Sequence, residues 1–276
     1  MSAACRHFHT GVHKQGMSPE EGRVFREFQR RWELETTPLA DDIASAIRSG
    51  ELDLHSGSAL EAQIRSMVGE YTTDIDVSIV DIGEDGIQAG RELAARRFAL
   101  DISFENVPQH AIDELEEWAV TVSESISNTM AEEMRNYLRG AYEDGLSIDE
   151  IAEEFGSEFV EKRLHGTHEE QIARDVVQGT SNQGNHTAFE EADVFAEQWN
   201  AALDGREREA HEAADGQIVG IGNTFLVGGE QLRYPHDPEG SVGNTTNCRC
   251  NVLPLWREDL SDEEEAQIEA GQRLNT

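Results

Sequence analysis

Two of the chain's three cysteines stand one residue apart, in the triplet Cys248-Arg249-Cys250 that follows Asn247. Paired thiols can form a metal site, a redox pair or a catalytic nucleophile. A disulfide between residues two apart is badly strained, so a bond within the triplet is disfavoured. Zinc usually takes four ligands and the triplet offers two, which leaves His211 and His236 as weak candidates for the rest.

Burial of small side chains is the simpler interpretation of the triplet, and the pattern favours it over a metal. The segment CRCNVLPLW is typical of a strand, in which alternate residues share a face, so that Cys248, Cys250 and Val252 point the same way. Cysteines there would act as small hydrophobic residues. Arg249, on the other face, is predicted to bond loop carbonyls or Asp215. We therefore predict no bound metal and no cofactor.

The remaining polar residues do not form a recognisable catalytic set. His211 stands four residues before Asp215, which suits a helix pair or a capping contact, whereas a general base needs a nucleophile or a water beside it. Ser241, Thr245 and Thr246 lie in a predicted loop with nothing to position them. The segments GIGNTF and GGE lack the lysine of a phosphate-binding loop. The sequence predicts no catalytic residue and no enzyme.

The first sixteen residues are predicted to be a flexible leader. They contain Cys5, His7, His9 and His13, and a mobile tail is favoured over a metal site because no structured partner flanks them. The leader has no apolar core, so it is not a secretory signal. Three cysteines make no disulfide framework, and we expect the protein to act inside a cell or in a particle assembled there.

Charge is the strongest compositional signal. The 276 residues include 56 acidic and 22 basic ones, which gives a net charge of -34, and Lys14 and Lys162 are the only lysines. This composition is typical of halophilic archaea, whose molar salt screens such repulsion. It disfavours autonomous binding to nucleic acid, since no basic stripe is present. No apolar run approaches the roughly 18 residues that cross a bilayer.

Periodic apolar residues predict a mostly helical chain up to about Leu203. Ser18, Pro19 and Glu21 form a helix start signal, and Ser147 with Glu150 forms a second one. Thr167 with Glu170 is predicted to cap a further helix, and GTSNQGN (residues 179–185) to break a helix or to be a weak point within a long one. The predicted helices cover Pro19 to about Glu35, PLADDIASAIRS, SALEAQIRSMVGEY, GIQAGRELAARRFAL, residues 108–142, LSIDEIAEEFGSEF, EEQIARDVVQ and HTAFEEADVFAEQWNAAL.

After residue 203 the chain becomes richer in glycine and in short strand patterns. Gly228-Gly229 between TFLV and EQLRY predicts a two-residue hairpin. The predicted fold class is α+β: a long, mostly helical N-terminal part, then a small mixed module with a β-hairpin and a closing C-terminal strand. The predicted divisions are a leader (1–16), an N-terminal helical region (17–107), a domain (108–257) and an acidic tail (258–276). The domain is predicted to be helical to residue 203 with a small module from residue 204, and the tail to be a solvated helix or a frayed end.

In their order along the chain, several motifs resemble the phage Mu F-like head morphogenesis family, the minor capsid proteins of tailed viruses. The resemblance covers about residues 108–257, and the terminal Asn-Cys-Arg-Cys with the upstream His and Asp-Gly is its most specific part. The matching residues are Ile172, Ala173, Arg174, Trp199, Asp204 with Arg206 or Arg208, His211, Asp215, Gly216, Tyr234, Pro235, Asn247, Cys248, Arg249 and Cys250.

The resemblance implies a structural protein of a virus head, bound to the portal or the major capsid protein. It would lie in the head interior or at the portal vertex, assembled in the host cytoplasm, with packaging beside the genome as an open alternative. Together with the charge, it indicates a tailed virus of a halophilic archaeon. Two other readings stay open: a Mu F-like module attached to a nuclease or ADP-ribosyltransferase, for which the short tail leaves little room, and a small zinc-binding interaction module.

Overall fold

The structure, a computed structural model, describes residues 17–203 and 205–275. The chain divides into two compact units. Among the described residues, one unit contains residues 17–24, 83–114, 174–203 and 205–275, and the other contains residues 25–82 and 115–173. The predicted leader, with Cys5 and its three histidines, lies outside the described residues, and so does Asp204.

The first helix, α1 (Pro19–Ser49), begins where the sequence predicts. The Glu21 N–H donates to the Ser18 hydroxyl at 3.1 Å, and the Ser18 N–H donates to the Glu21 carboxylate at 2.7 Å. The predicted end near Glu35 is wrong, because α1 continues through Pro38. A proline inside a helix costs one backbone hydrogen bond. Burial of Trp32 and Leu39 on either side of that position favours the continuous helix.

Helix α2 (Gly57–Phe98) replaces two shorter predicted helices. The residues between the two predicted segments carry Ile75, Ile79 and Ile82, each almost fully buried. Their spacing of four and three places them on one helical face, so the helix has no reason to end there. Helix α3 (Gln109–Glu143) matches its prediction, with Leu115 and Ala119 fully buried. It ends before Gly145, whose φ of +84° lies in the left-handed region.

The next helical segment is continuous from residue 148 to residue 191. It comprises α4 (Ile148–Glu154), a π-helix (Phe155–His168) and α5 (Glu169–Glu191). The capping box of Ser147 and Glu150 is confirmed. The predicted box of Thr167 and Glu170 is wrong: the Thr167 hydroxyl donates to the Lys162 carbonyl, and the backbone stays helical. The Trp32 indole donates to the carbonyl of Leu164, which anchors the π-helical turn to α1.

Glycine has a different role in α5 from the one that its sequence suggests. Of the two alternatives for the segment 179–185, a helix break is wrong, because the segment lies inside the long helix α5 and is almost entirely buried. A Cβ atom on Gly184 would lie 2.1 Å from the Ile87 carbonyl oxygen, and one on Gly90 would lie 2.2 Å from the Ser181 carbonyl oxygen. The glycines therefore allow the backbones of α2 and α5 to touch.

Three antiparallel strands form the sheet of the C-terminal part. Strand β1 (Ala196–Asn200) lies between β2 (Ile218–Gly220) and β5 (Asn251–Leu255). The predicted helix ending near Leu203 is wrong, because α5 ends at Glu191 and β1 follows. Every residue of β1 is buried between two partner strands, and this pairing overrides the helical propensity of its alanine and glutamate.

The predicted hairpin is confirmed. Strands β3 (Phe225–Val227) and β4 (Glu230–Leu232) pair around Gly228 and Gly229, whose φ angles are +60° and +88°. Positive φ at both central residues is typical of the type I′ turn that suits a two-residue hairpin. Two short helices, α6 (Glu209–Ala214) and α7 (Val242–Thr245), lie before β2 and β5 respectively.

The tail is folded rather than frayed. A 3₁₀ turn (Arg257–Asp259) precedes α8 (Asp262–Glu269), and Ile268 is 4 % exposed. Leu274 and Ile218 exchange two backbone hydrogen bonds of 2.9 Å, which extends the pairing along the edge of β2.

The α+β fold class is confirmed: long helices come first, and a small sheet module with a hairpin and a closing strand follows. The predicted domain boundaries remain predictions. Among the described residues, no helix combines the length and the apolar character that crossing a bilayer requires.

Candidate functional site

The Cys-Arg-Cys triplet meets the short helix α6 inside the C-terminal module. His211 lies on α6, and its ring contacts Trp199 of β1 edge-on, with 5.9 Å between the ring centroids. The triplet comes immediately before β5, and β5 pairs with β1 so that Val252 lies opposite Trp199. The pairing of β5 with β1 therefore places Cys248 and Cys250 next to His211 of α6.

One histidine and two thiols converge there. Nδ1 of His211 lies 3.3 Å from Sγ of Cys250 and 3.6 Å from Sγ of Cys248. The three ligand atoms all lie within 4.8 Å of one another. His211, Cys248 and Cys250 are 2 %, 4 % and 2 % exposed, and both cysteines are free thiols. This arrangement is a buried set of one nitrogen and two sulfur donors, which could hold a soft or borderline metal ion.

The two thiols have opposite acid strengths. A hydrogen bond from Cys250, and then the positive charge of His236, lower the pKa of the Cys248 thiol well below its usual range. The same hydrogen bond and burial raise the pKa of the Cys250 thiol. Burial lowers the pKa of His236, but the charge on Cys248 more than compensates and raises it overall. Of the two thiols, Cys250 therefore keeps its proton and Cys248 loses its proton more easily.

Hydrogen bonds from neighbouring elements fix the backbone of the triplet. Nε2 of His236 lies 2.8 Å from the Cys248 carbonyl oxygen, and the Asn182 amide donates to the Cys250 carbonyl at 3.0 Å. The Asn247 N–H donates to Asp175 at 2.7 Å. Burial raises the pKa of the Asp175 carboxyl. Arg208 donates to the carbonyl of Thr246. Contacts from α5 and from two loops therefore hold the approach to β5.

The other residues that carry the family resemblance differ in burial and in hydrogen bonding. Asp215 accepts a hydrogen bond from the Ala201 N–H at 2.8 Å, and the Gly216 N–H donates to the Trp199 carbonyl at 2.9 Å. Asn247 adopts a φ of +54°. Pro235 is buried, Arg174 is exposed and Arg249 is half-buried. The predicted contact between Arg249 and Asp215 remains a prediction.

A buried ionic network in the same unit was not predicted from the sequence. Nδ1 of His186 lies 2.8 Å from a carboxylate oxygen of Glu197, and Glu197 is fully buried. Burial lowers the pKa of His186, but the charge of Glu197 outweighs that effect and raises it overall. The ring of Tyr234 packs against His186 with 5.1 Å between centroids. Since Glu197 was assigned to a helix, its inward direction could not be inferred, and the residues 196–200 carry no local strand pattern that would have revealed it.

Comparison with known proteins supports the resemblance. Residues 132–253 match the family described as Phage Mu protein F like protein. The match begins within α3 and ends within β5, so it includes α5, the sheet and the His211, Cys248 and Cys250 cluster. This segment has the sequence character of a phage Mu F-like domain.

A more distant similarity connects the chain with an individual protein. Over 179 residues, this chain is 24% identical to "Uncharacterized protein YqbB" of Bacillus subtilis (strain 168). The matched region covers 61% of this chain and 57% of that relative. The similarity thus spans little more than half the length of that protein. No solved structure matches the chain.

Proposed function

We propose that this protein is a minor capsid protein of a tailed virus, which takes part in head assembly by binding the portal or the major capsid protein. The observation that carries the proposal is the Mu F-like match over residues 132–253, which includes the folded module and its Cys-His cluster. The resulting location is the virion, in the head interior or at the portal vertex. Packaging beside the genome is part of the same proposal.

A structural role fits the burial of the reactive groups better than catalysis does. The thiols and the imidazole of the cluster are almost fully buried, whereas a nucleophile or a general base has to reach its substrate. The helical part offers exposed apolar side chains for contact with a partner, among them Val77 on α2 and Val120 on α3, which are 53% and 47% exposed.

The acidic composition supports a host with molar cytoplasmic salt. With a net charge of -34 and two lysines among 22 basic residues, the chain has the composition that we associate with halophilic archaea. We therefore propose a haloarchaeal tailed virus as the source, and direct DNA binding is not part of the function.

Co-expression tests the proposal directly. The full chain would be produced with the portal and major capsid proteins of the same genome and isolated in molar KCl. We expect it to co-purify with one of them, and Val77→Ser combined with Val120→Ser should weaken that association. Leu226→Ser, which changes an exposed apolar residue of the hairpin, serves as the matched control.

Mass spectrometry of purified virions, before and after DNA ejection, tests the location. We expect the chain in filled heads, and its loss on ejection would indicate packaging with the genome. Failure to find it in virions, together with no association with either capsid protein, would contradict the proposal. Nuclease or ADP-ribosyltransferase activity of the purified chain would favour the enzymatic alternative.

A further inference from the structure

The cluster of His211, Cys248 and Cys250 has the dimensions of a metal site. A tetrahedral zinc ion has Zn–S distances of about 2.3 Å and Zn–N distances of about 2.0–2.1 Å, which places a nitrogen and a sulfur ligand about 3.6 Å apart. The observed separations between Nδ1 and the two sulfur atoms are 3.3 Å and 3.6 Å. One ion can therefore contact all three atoms with little movement of the side chains.

The hydrogen bonding of the cluster is poor without an ion. Thiols are weak donors and weak acceptors, and both thiols converge on the same ring nitrogen. Nε2 of His211 is buried and has no hydrogen-bond partner within the described part of the chain. Leaving a buried polar atom unpaired is costly. An ion bound at Nδ1 would not pair Nε2, but it would replace two weak thiol contacts with one strong contact shared by Nδ1 and both sulfurs, and Nε2 would then carry the ring proton.

Backbone contacts also hold the two cysteines in positions from which both sulfurs can bind one ligand. Cys248 and Cys250 are buried on the same side of the chain, with half-buried Arg249 between them. The Cys250 carbonyl is fixed by Asn182 of α5, and the Cys248 carbonyl by His236. Outer contacts of this kind orient metal ligands and support their affinity.

We propose that His211, Cys248 and Cys250 bind one structural Zn²⁺ ion, which ties α6 to the start of β5. Thiolate and imidazole donors select zinc over magnesium or calcium. His236 is not among the converging donor atoms and is instead the outer partner of Cys248, through the contact between its Nε2 and the Cys248 carbonyl oxygen. This assignment reverses the expectation from sequence, which named His211 as a weak candidate ligand but favoured burial of the thiols because the position of His211 was not known. It does not depend on the role in head assembly.

Metal analysis of the full chain tests the proposal. The protein would be produced with zinc, dialysed in molar KCl and analysed by elemental mass spectrometry, and Co²⁺ would be titrated into the metal-free protein as a spectroscopic probe. We expect one Zn²⁺ per chain, and with Co²⁺ the intense visible absorption of a tetrahedral site together with sulfur-to-cobalt charge transfer. A strong chelator should lower the melting temperature.

Variants separate metal binding from packing. Cys248→Ser, Cys250→Ser and His211→Ala should lose the bound zinc and the cobalt spectrum. His236→Ala should weaken zinc affinity at least tenfold. Val252→Ala is the matched control, because it truncates a buried residue of β5 that has no donor atom; it should lower stability but keep the zinc. His55→Ala, at an exposed histidine, should change neither property.

Two results would overturn the assignment. One is wild-type protein with reduced thiols that binds neither zinc nor cobalt and melts identically with and without chelator. The other is zinc that remains bound after both Cys248 and Cys250 are replaced. The wild-type measurements need no variant, so the test is decisive even if a cysteine substitution prevents folding.

Discussion

Glu169, at the start of α5, is a buried carboxyl group with unusual acid strength. Burial, and then the charge of Glu33, raise its pKa from the ordinary 4.5 to about 7, whereas a hydrogen bond from Gln29 opposes that rise. An acid with a raised pKa in the folded state favours folding only while it stays protonated. Ionisation of Glu169 therefore lowers the stability of the folded state, which makes that stability depend on pH.

We predict that Glu169→Gln stabilises the protein at neutral and alkaline pH. Below pH 4.5 the carboxyl group is protonated in both states, so the variant should resemble wild type. As pH rises from 4.5 to about 7, the unfolded wild-type chain ionises first and wild-type stability falls, and above about 7 the deficit is constant. The gain from glutamine there should be on the order of 1–3 kcal/mol. Chemical denaturation across this pH range measures it.

The neighbouring Glu170 gives a control for charge. Its side chain is exposed, so Glu170→Gln removes the same unit of charge from the surface. The charge of Glu170 makes the smallest contribution to the raised pKa of Glu169, so this variant should reproduce only a small part of the stability gain. A stability gain that is equal for both variants would indicate relief of general repulsion and would sink the explanation based on burial.

At the scale of elements, the contact between α2 and α5 depends on glycine. Ile87 and Ser181 present backbone carbonyls to Gly184 and Gly90 at distances that admit no Cβ atom. Backbone atoms cannot move aside as the end of a long side chain can. If alanine replaced either glycine, α2 and α5 would therefore have to separate at this contact.

We predict that Gly184→Ala destabilises the protein by roughly 1–3 kcal/mol or more, the range for overpacking a well-filled interior. Gly140→Ala in α3 is the matched control, because no atom lies within 4 Å of the Cβ position there. Alanine should stabilise that helix by about 0.5–1 kcal/mol. Thermal melts of both variants give the comparison. A tolerated Gly184→Ala would show that the helices separate readily at this contact.

Local signals in the sequence predicted local structure well. The start of α1 at Ser18, the box at Ser147 and the turn at Gly228-Gly229 each depend on a few adjacent residues. Pro38 does not end a helix, because burial of Trp32 and Leu39 favours the continuous α1. The segment 179–185 stays helical because it is packed against α2. The cysteines were identified as a notable pair, but their approach to His211 depends on the pairing of β1 with β5, which no local pattern encodes.

For the whole molecule, the net charge of -34 should dominate the response to salt. Local ion pairs, such as Arg257 with Glu265 and Glu269, involve partly or fully exposed side chains and contribute little individually. At 1 M salt the Debye length is about 3 Å, so repulsion between separated carboxylates is largely screened.

We predict that folding requires salt near the molar range. The melting temperature should rise steeply with KCl concentration, and far-ultraviolet circular dichroism should report loss of helix when KCl is removed. Sucrose at matched osmolality serves as a control for general solute effects. A cooperative melt at about 0.1 M salt with the same midpoint as at high salt would contradict the halophilic interpretation.

The central place of β1 has a consequence for synthesis of the chain. Its partner β5 begins about fifty residues later, so at translation rates of about 5–20 residues per second β1 emerges several seconds before β5 does. During that interval one edge of β1 lacks its strand, and open edges pair readily with other chains. Nascent chains that stall before Asn251 should therefore be the species most prone to aggregate and most dependent on chaperones in the cell that synthesises them.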